Sequence, residues 1–159
     1  MSHARQENGQ LKQIAPDVYD AVAGLAQLAG KAGLDKQLLE LVKIRASQIN
    51  GCAFCVQYHI LIAEKLGVST DKINLVVVWR EAPQFSARER AALAWTEALT
   101  ELTGGVSDEV YAAASAEFSA QELAYLTSAI ASINVWNRFG VAYRWTPPAR
   151  QKGVDAAAS

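Results

Sequence analysis

Apolar residues recur along the first half of the chain at helical spacing, and capping residues separate the apolar segments. Pro16 lies in the first turn of the stretch APDVYDAVAGLAQLAG. Asp35 is a favourable N-cap for DKQLLELVKIRASQIN, which stops at Asn50 and Gly51. Gly67 ends a third segment, CAFCVQYHILIAEKLG. We therefore expect three helices, the second and third forming an antiparallel hairpin about a short turn.

The second half of the chain shows the same kind of pattern. A capping box of Ser86 and Glu89 opens the segment SARERAALAWTEALTEL. A second one, Ser119 with Glu122, opens the long segment SAQELAYLTSAIASINVWNRFGVAYRW, and a shorter helix is predicted over SDEVYAAASAEF. One segment is ambiguous, STDKINLVVVWR, because its serine start favours a helix and its β-branched run favours a strand. Strand alternation is otherwise almost absent, so the sequence predicts an all-α fold.

The last predicted helix has few polar residues over LAYLTSAIASINVW. A helix that is apolar on all sides is buried, and in a domain of this size we favour a contact between subunits for it. The pattern predicts one domain over residues 13–146. We expect a flexible start over residues 1–12 and a flexible tail over residues 147–159.

Composition narrows the classes of function. The chain has 159 residues, of which 51% are hydrophobic and 19% charged, so it can bury a sizeable core. Its net charge of −1, without a basic stripe, argues against nucleic acid or an anionic membrane as a partner. We see no secretory signal and no apolar run long enough to span a bilayer, so we expect a cytoplasmic protein. In that compartment a cysteine pair more often serves redox or metal chemistry than a structural disulfide.

The segment GCAFCVQYH holds both cysteines of the chain and one of its two histidines. On a helix that begins near residue 52, the offsets of three and four residues place Cys52, Cys55 and His59 on one face. The electrostatics of a helix N-terminus lower the pKa of a thiol and favour Cys52 as the more acidic one. The histidine at i+4 favours Cys55 instead. From the residues alone, the choice between the two thiols stays open.

Glu40 is the candidate partner of His59. It lies about three turns before the predicted hairpin turn and His59 lies about two turns after it, so the two side chains could face each other. A carboxylate in that place would complete a proton relay with the imidazole. If Glu40 is partly buried there, its pKa should rise.

Two other interpretations of these residues compete with redox chemistry. Cysteines on a helix are often just small core residues, but the CxxC spacing with a histidine on the same face favours a chemical role. Cys52, Cys55, His59 and Glu40 could also be four ligands of a zinc ion in a metal-binding or redox-sensing oligomer. Structural zinc seldom takes three ligands from one helix, so we expect neither a metal nor another cofactor.

The pattern formed by Glu40 and CAFCVQYH resembles the AhpD-like branch of the carboxymuconolactone decarboxylase superfamily. The flanking text LLELVKIRASQINGCAFCVQYH, EAPQFSARERAALAWTEALTEL and INVWNRFGVAYRW is similar to that family too, and the likeness spans most of residues 17–146. The resemblance implies an all-helical AhpD-like bundle that assembles as a homo-oligomer, commonly a trimer or hexamer. It also implies an alkylhydroperoxidase-like activity that depends on an external dithiol or a thiol protein.

The resemblance also implies roles for single residues. Cys55 would attack the hydroperoxide, Cys52 would resolve it as a disulfide, and Glu40 and His59 would form the proton relay. The chain departs from the best-studied branch at Phe54, where that branch has a second histidine, and this departure leaves the relay and the reductant open. The decarboxylase branch generally lacks the thiol pair, which argues against non-redox lactone chemistry, the remaining alternative.

Overall fold

The computed structural model describes residues 3–150, and within that range all regular secondary structure is helical, with no strand. The all-α prediction is confirmed. Two short 3-10 helices cover Val76–Val78 and Leu102–Gly104. The eight α-helices of the described residues are α1 (Asn8–Ile14), α2 (Pro16–Lys31), α3 (Lys36–Ile49), α4 (Ala53–Lys65), α5 (Thr70–Leu75), α6 (Ala87–Thr100), α7 (Asp108–Glu117) and α8 (Ala120–Tyr143).

The predicted caps start the helices where the sequence places them. The Asp35 side chain accepts a hydrogen bond from the backbone N–H of Gln37 at 2.8 Å, and both predicted capping boxes are present. The ambiguous segment forms α5 and a 3-10 turn, so a strand there is wrong. The Ser69 side chain caps α5, and helical spacing lets Ile73 and Val76 enter the core together.

Helix α8 runs through the centre of the bundle and contacts α2, α3, α4 and α6. Its apolar character is therefore explained by packing inside the subunit, and a subunit contact is not needed to account for it. The apolar side chains that it buries are Leu123, Leu126, Ala129, Ile130 and Ile133.

The N-terminal segment packs against the end of α8, and its helix α1 was not predicted from the sequence. Leu11 is buried, and the backbone N–H of Arg5 donates to the carbonyl of Tyr143 at 2.9 Å. The Glu7 carboxylate accepts a hydrogen bond from the Thr146 hydroxyl at 2.6 Å. The flexibility expected of residues 1–12 and 147–159 stays a prediction, and residues 1–2 and 151–159 lie outside the described residues.

A buried polar network fixes the turn between α3 and α4 against α8. The amide of Asn50 donates to the side-chain oxygens of Asn134 and Asn137, both at 2.9 Å. Asn137 in turn donates to the Ser47 hydroxyl at 2.9 Å, and it is 1% exposed. A buried network whose polar groups all have hydrogen-bond partners stabilises one backbone geometry. Here that geometry places Cys52 at the start of α4.

In the range covered by the structure, none of the helices combines the length and the apolar character needed to cross a bilayer.

Candidate active site

Cys52 and Cys55 form a disulfide at the first turn of α4. Cys52 is the N-cap residue, and its sulfur accepts a hydrogen bond from the backbone N–H of Cys55 at 3.2 Å. The two Cα atoms are 5.3 Å apart, within the ordinary range for a disulfide. Cys52 is 2% exposed and Cys55 is 3% exposed, so a reagent reaches these sulfurs only through recesses in the surface.

Gly140 lets α8 pass directly over the disulfide. A Cβ atom at this position would lie 2.5 Å from the Cys52 sulfur and 3.3 Å from the Cys55 sulfur. The first of these distances is too short for any side chain, so glycine is required for this packing. The bond therefore lies between the start of α4 and the backbone of α8.

Glu40 and His59 meet across the hairpin, where the sequence predicts that they could face each other. The Nδ1 atom of His59 lies 2.7 Å from Oε2 of Glu40, and the other carboxylate oxygen accepts from Nζ of Lys43, also at 2.7 Å. When Nδ1–H donates to the carboxylate, Nε2 keeps its lone pair and can act as a base. The carboxylate thus fixes both the tautomer and the orientation of the ring.

The expected direction of the Glu40 pKa is wrong. Burial is the largest single influence and raises the pKa of Glu40, as the sequence argument assumed. The hydrogen bonds and positive charge of His59 and Lys43 together outweigh burial and bring the pKa of Glu40 below its usual value. Glu40 is therefore a carboxylate at neutral pH. The proton in the hydrogen bond between the two groups belongs to Nδ1 of His59.

Burial also governs His59, which is 9% exposed. It lowers the pKa of His59, Glu40 offsets part of this effect, and the charge of Lys43 lowers the pKa further. The imidazole is consequently neutral near pH 7, which is the form that can take a proton from a thiol.

A cavity of about 490 Å³ opens onto Cys55 and His59 together. One part of its wall is aromatic: Phe54 stacks on Tyr58 with ring centroids 5.8 Å apart and meets Trp145 edge-on at 5.2 Å. The other lining residues come from α1, α2, α3, α4 and α8, and they include Asn8, Lys12, Tyr19, Asp20, Lys43, Ile62, Ile133 and Trp136.

Sequence reasoning missed several of these residues. Lys43 had a local signal, since an acid and a base three residues apart pair on a helix. Nothing in the sequence pattern assigned Trp136, Trp145 or Lys12 to the cavity. These side chains reach the cavity through long-range packing of α1 and α8, which helical periodicity does not report.

The zinc hypothesis requires several ligand side chains to converge on one point. Within residues 3–150, no three His, Cys, Asp or Glu side chains are grouped so that they could hold one ion. In this state both sulfurs are bonded to each other.

The family model of the carboxymuconolactone decarboxylase family matches residues 16–98, more than half of the chain, and this span contains Glu40, both cysteines and His59. The chain belongs to this family. The predicted membership is thereby confirmed.

Individual members and solved structures agree with the assignment to the carboxymuconolactone decarboxylase family. The uncharacterized protein YdfG of Bacillus subtilis (strain 168) is 32% identical over 131 residues, which are 82% of this chain and 89% of YdfG. A protein of unknown function from Agrobacterium tumefaciens, proposed to be the antioxidant defence protein AhpD, is 38% identical with a TM-score of 0.85. The match covers 93% of this chain and all of that protein, 100%.

The apo form of the debrominase Bmp8 superposes with a TM-score of 0.76 over 84% of this chain and 73% of its own. At 21% identity this match shows a shared fold only.

Proposed function

We propose that this protein is a thiol-dependent peroxidase that reduces organic hydroperoxides. One observation carries the proposal: a disulfide-forming cysteine and a histidine hydrogen-bonded to a buried carboxylate open onto the same cavity. This is the arrangement that an activated thiol nucleophile needs, with a base beside it and a third group that orients the base. The similarity to the Agrobacterium protein, which is proposed to be an antioxidant defence protein, supports this proposal.

In the reduced protein, Nε2 of His59 takes the proton of Cys55, and the thiolate attacks one oxygen of the O–O bond. The bond breaks, Cys55 becomes a sulfenic acid, and the leaving alkoxide receives the proton from the imidazolium. Glu40 stabilises the transient imidazolium, and Lys43 helps to keep Glu40 ionised. Cys55 is preferred as the attacking thiol because it lines the cavity that His59 also lines, whereas Cys52 does not.

The second half of the cycle forms the disulfide that the structure contains. The Cys52 sulfur attacks the sulfenic acid of Cys55, and the Cys52–Cys55 bond forms. The hydroxide that is displaced takes a proton and leaves as water. An external dithiol then donates two electrons and restores both thiols.

The wall of the cavity favours an organic hydroperoxide over hydrogen peroxide. Phe54, Tyr58, Trp136 and Trp145 present apolar surface next to Cys55, and burial of an apolar substituent there contributes about 25 cal/mol per Å² of surface removed from water. Phe54 stands where the best-studied branch of the family has a histidine. The aromatic ring makes this part of the wall less polar, which strengthens the preference for an organic hydroperoxide.

Peroxide consumption with dithiothreitol as reductant tests the proposal. We expect Cys55→Ser to lose at least about a hundredfold in turnover, because no other group can replace the thiolate. Cys52→Ser should still form a sulfenic acid at Cys55, which dimedone traps and mass spectrometry detects, but it should not turn over efficiently.

The two variants control for each other, since each removes one sulfur from the same turn. Unchanged turnover in Cys55→Ser would exclude the thiol mechanism. Dimedone labelling of Cys52 in the Cys55→Ser variant, with none of Cys55 in the other, would reverse the roles of the two cysteines.

The predicted homo-oligomer has a candidate surface on α2. Val18, Ala21, Leu25 and Leu28 are exposed at alternating spacings of three and four residues, which is the pattern of a helix–helix seam. We propose that a second copy of the chain covers this stripe in a trimer or hexamer, in the cytoplasm, where dithiol reductants are available. Light scattering of the purified protein measures the subunit number, and a monomer would refute the assembly.

A further inference from the structure

The Cys52–Cys55 bond has a separate recess at each end. The cavity described above is lined by Cys55 but not by Cys52. A second recess of about 330 Å³, here called the cleft, is lined by Cys52 but not by Cys55. Phe54 and Trp145 line both recesses, so the two sulfurs are approached from different sides of these aromatic rings.

The cleft leaves the Cys52 sulfur approachable because small residues surround it. Gly51, Ala53 and Gly140 all line it, and none of them carries more than a methyl group. A Cβ atom at position 140 would come within 2.5 Å of the Cys52 sulfur and fill the space beside it. The cleft is of a size that small molecules occupy in proteins.

Arg144 is the only charged side chain among the described residues that line the cleft. It caps α8 with φ 55° and ψ 50°, the left-handed conformation, and no other described non-glycine residue has a positive φ. This conformation costs a non-glycine residue about 1 kcal/mol relative to glycine. Within residues 3–150 no acidic side chain forms an ion pair with the guanidinium.

We infer that the cleft is the entry site of the electron donor, and that Arg144 selects a small dithiol that carries a carboxylate group. This inference rests on the proposed function and names the class of reductant that it uses. It assigns opposite ends of one disulfide to the two substrates, the hydroperoxide at Cys55 and the reductant at Cys52.

The chemistry of thiol–disulfide exchange fits this division. A thiolate displaces one sulfur from the other by approaching along the S–S axis, so a donor in the cleft attacks Cys52 and expels Cys55. The donor sulfur bonds to Cys52, and Cys55 leaves with the electron pair of the broken bond. The second thiol of the donor then attacks the donor sulfur of this mixed disulfide, which releases Cys52 as a thiolate and leaves the donor as a disulfide.

The expelled sulfur, that of Cys55, is the one that becomes a thiolate in the proposed peroxidase mechanism. Cys55 lies one helical turn before His59 and lines the same cavity, so the sulfur that leaves does so beside the imidazole. After reduction, the thiolate therefore appears at the sulfur that faces the hydroperoxide.

The test compares two dithiols on the oxidised protein without any peroxide. Dithiothreitol is neutral and 2,5-dimercaptoadipate carries two carboxylates. Both are 1,4-dithiols that close to a six-membered cyclic disulfide, and acid quenching followed by alkylation measures the rate at which each reduces the Cys52–Cys55 bond. We expect Arg144→Gln to lower the ratio of the anionic to the neutral rate by about tenfold, and Arg144→Lys to retain most of the preference.

Arg138→Gln is the matched control. Arg138 is an exposed arginine of the same helix, it lines neither recess, and its guanidinium donates to the carbonyl of Asn134. The ratio in Arg138→Gln should equal that of the wild type. An equal fall in both variants would reduce the effect to overall charge and overturn the inference, as would an unchanged ratio in Arg144→Gln.

Single-cysteine proteins test which sulfur the donor meets, because exchange in either direction passes through the same mixed disulfide. Cys52, left free in Cys55→Ser, should prefer anionic dithiobis(nitrobenzoate) over neutral dithiodipyridine, and Arg144→Gln should remove that preference. Cys55, left free in Cys52→Ser, should show no dependence on Arg144. Dependence at Cys55 instead of Cys52 would overturn the assignment.

These experiments separate the inference from the proposed function. If the protein consumes no hydroperoxide but Arg144 still sets the preference for anionic thiols, the peroxidase proposal fails and the donor site stands. If the protein is an active peroxidase and Arg144 has no effect, only the donor site fails.

Discussion

Glu40 and Glu97 are two largely buried carboxylates on the packed helices α3 and α6, and both have a pKa below the usual value. In both cases burial is the largest influence and raises the pKa, but the hydrogen-bond donors around the carboxylate outweigh it. Glu97 accepts from Arg45 Nε at 2.8 Å and from Trp79 Nε1 at 2.9 Å, and it pairs with Arg80. A perturbed pKa therefore marks both residues and does not by itself distinguish an active site from a structural ion pair.

The partners make the distinction. Two of the three groups around Glu97 are guanidinium groups, which stay charged at every pH that the folded protein meets. Glu40 instead holds His59, a group that can change its charge near neutral pH, beside a cavity that Cys55 also lines. Glu97 lines neither recess at the disulfide. We assign proton relay to the first carboxylate and structural pairing to the second.

The largest expected effect that tests this contrast is on the rate of the chemical step. Glu40→Gln should slow the oxidation of the reduced protein by an organic hydroperoxide by about a hundredfold, because the neutral amide no longer stabilises the imidazolium. Glu97→Gln is the matched control and should change this rate only about twofold, within the range of indirect effects. The loss of tryptophan fluorescence or of free thiol in a single turnover measures the rate.

Similar rates for the two variants would remove the distinction. Equal slowing would mean that any buried carboxylate of the bundle supports the site through packing, and equal activity would take Glu40 out of the relay.

The second effect, on stability, should run in the opposite order. Glu97→Gln removes the anion that two permanent cations and an indole N–H share, and we expect it to lower the free energy of unfolding by about 2 kcal/mol. Glu40→Gln should cost about half as much, because one of its two partners is neutral at pH 7. Urea unfolding of the oxidised proteins measures both values, and a larger loss in Glu40→Gln would contradict the structural role of Glu97.

The contrast also shows what the sequence can and cannot predict. Glu40, Cys52, Cys55 and His59 lie on one helical hairpin, so their mutual placement follows from helical spacing and a short turn. The predicted direction of the Glu40 pKa shift was wrong, because this pKa also depends on neighbouring groups that an argument from burial leaves out, namely His59 and Lys43.

Contacts between distant parts of the chain were beyond prediction for a physical reason. Gly140 and Arg144 reach the disulfide only because α8 crosses α4, about ninety residues away along the chain. Glu97 gains its partners from α3 and from the turn after α5. Local periodicity fixes which face of a helix is apolar, but the side chains that meet across two faces depend on how the helices cross.

The smallest expected effect is on the pH dependence of stability, where the two carboxylates and His59 act in different ranges. The pKa of His59 is lowered in the folded protein, so between that pKa and about 6.5, the value for an unfolded chain, the unfolded state binds the extra proton. The wild type should therefore lose stability as the pH falls below about 6.5, by no more than about 1.4 kcal/mol per pH unit. The stability that Glu97 contributes is lost only when the pH falls below the carboxyl value of 4.5.

Substitutions separate the two ranges. His59→Asn should reduce the loss of stability between neutral pH and pH 5 and leave the loss at lower pH in place. Glu97→Gln should leave the first loss in place and reduce the second, to which Glu40 also contributes. Urea unfolding at a series of pH values, under non-reducing conditions, measures the slopes, and the only other histidine, His3, is exposed. If His59→Asn kept the wild-type slope near pH 6, the imidazole would not be held neutral by burial, and Glu40 would pair with it as permanently as Glu97 pairs with its arginines.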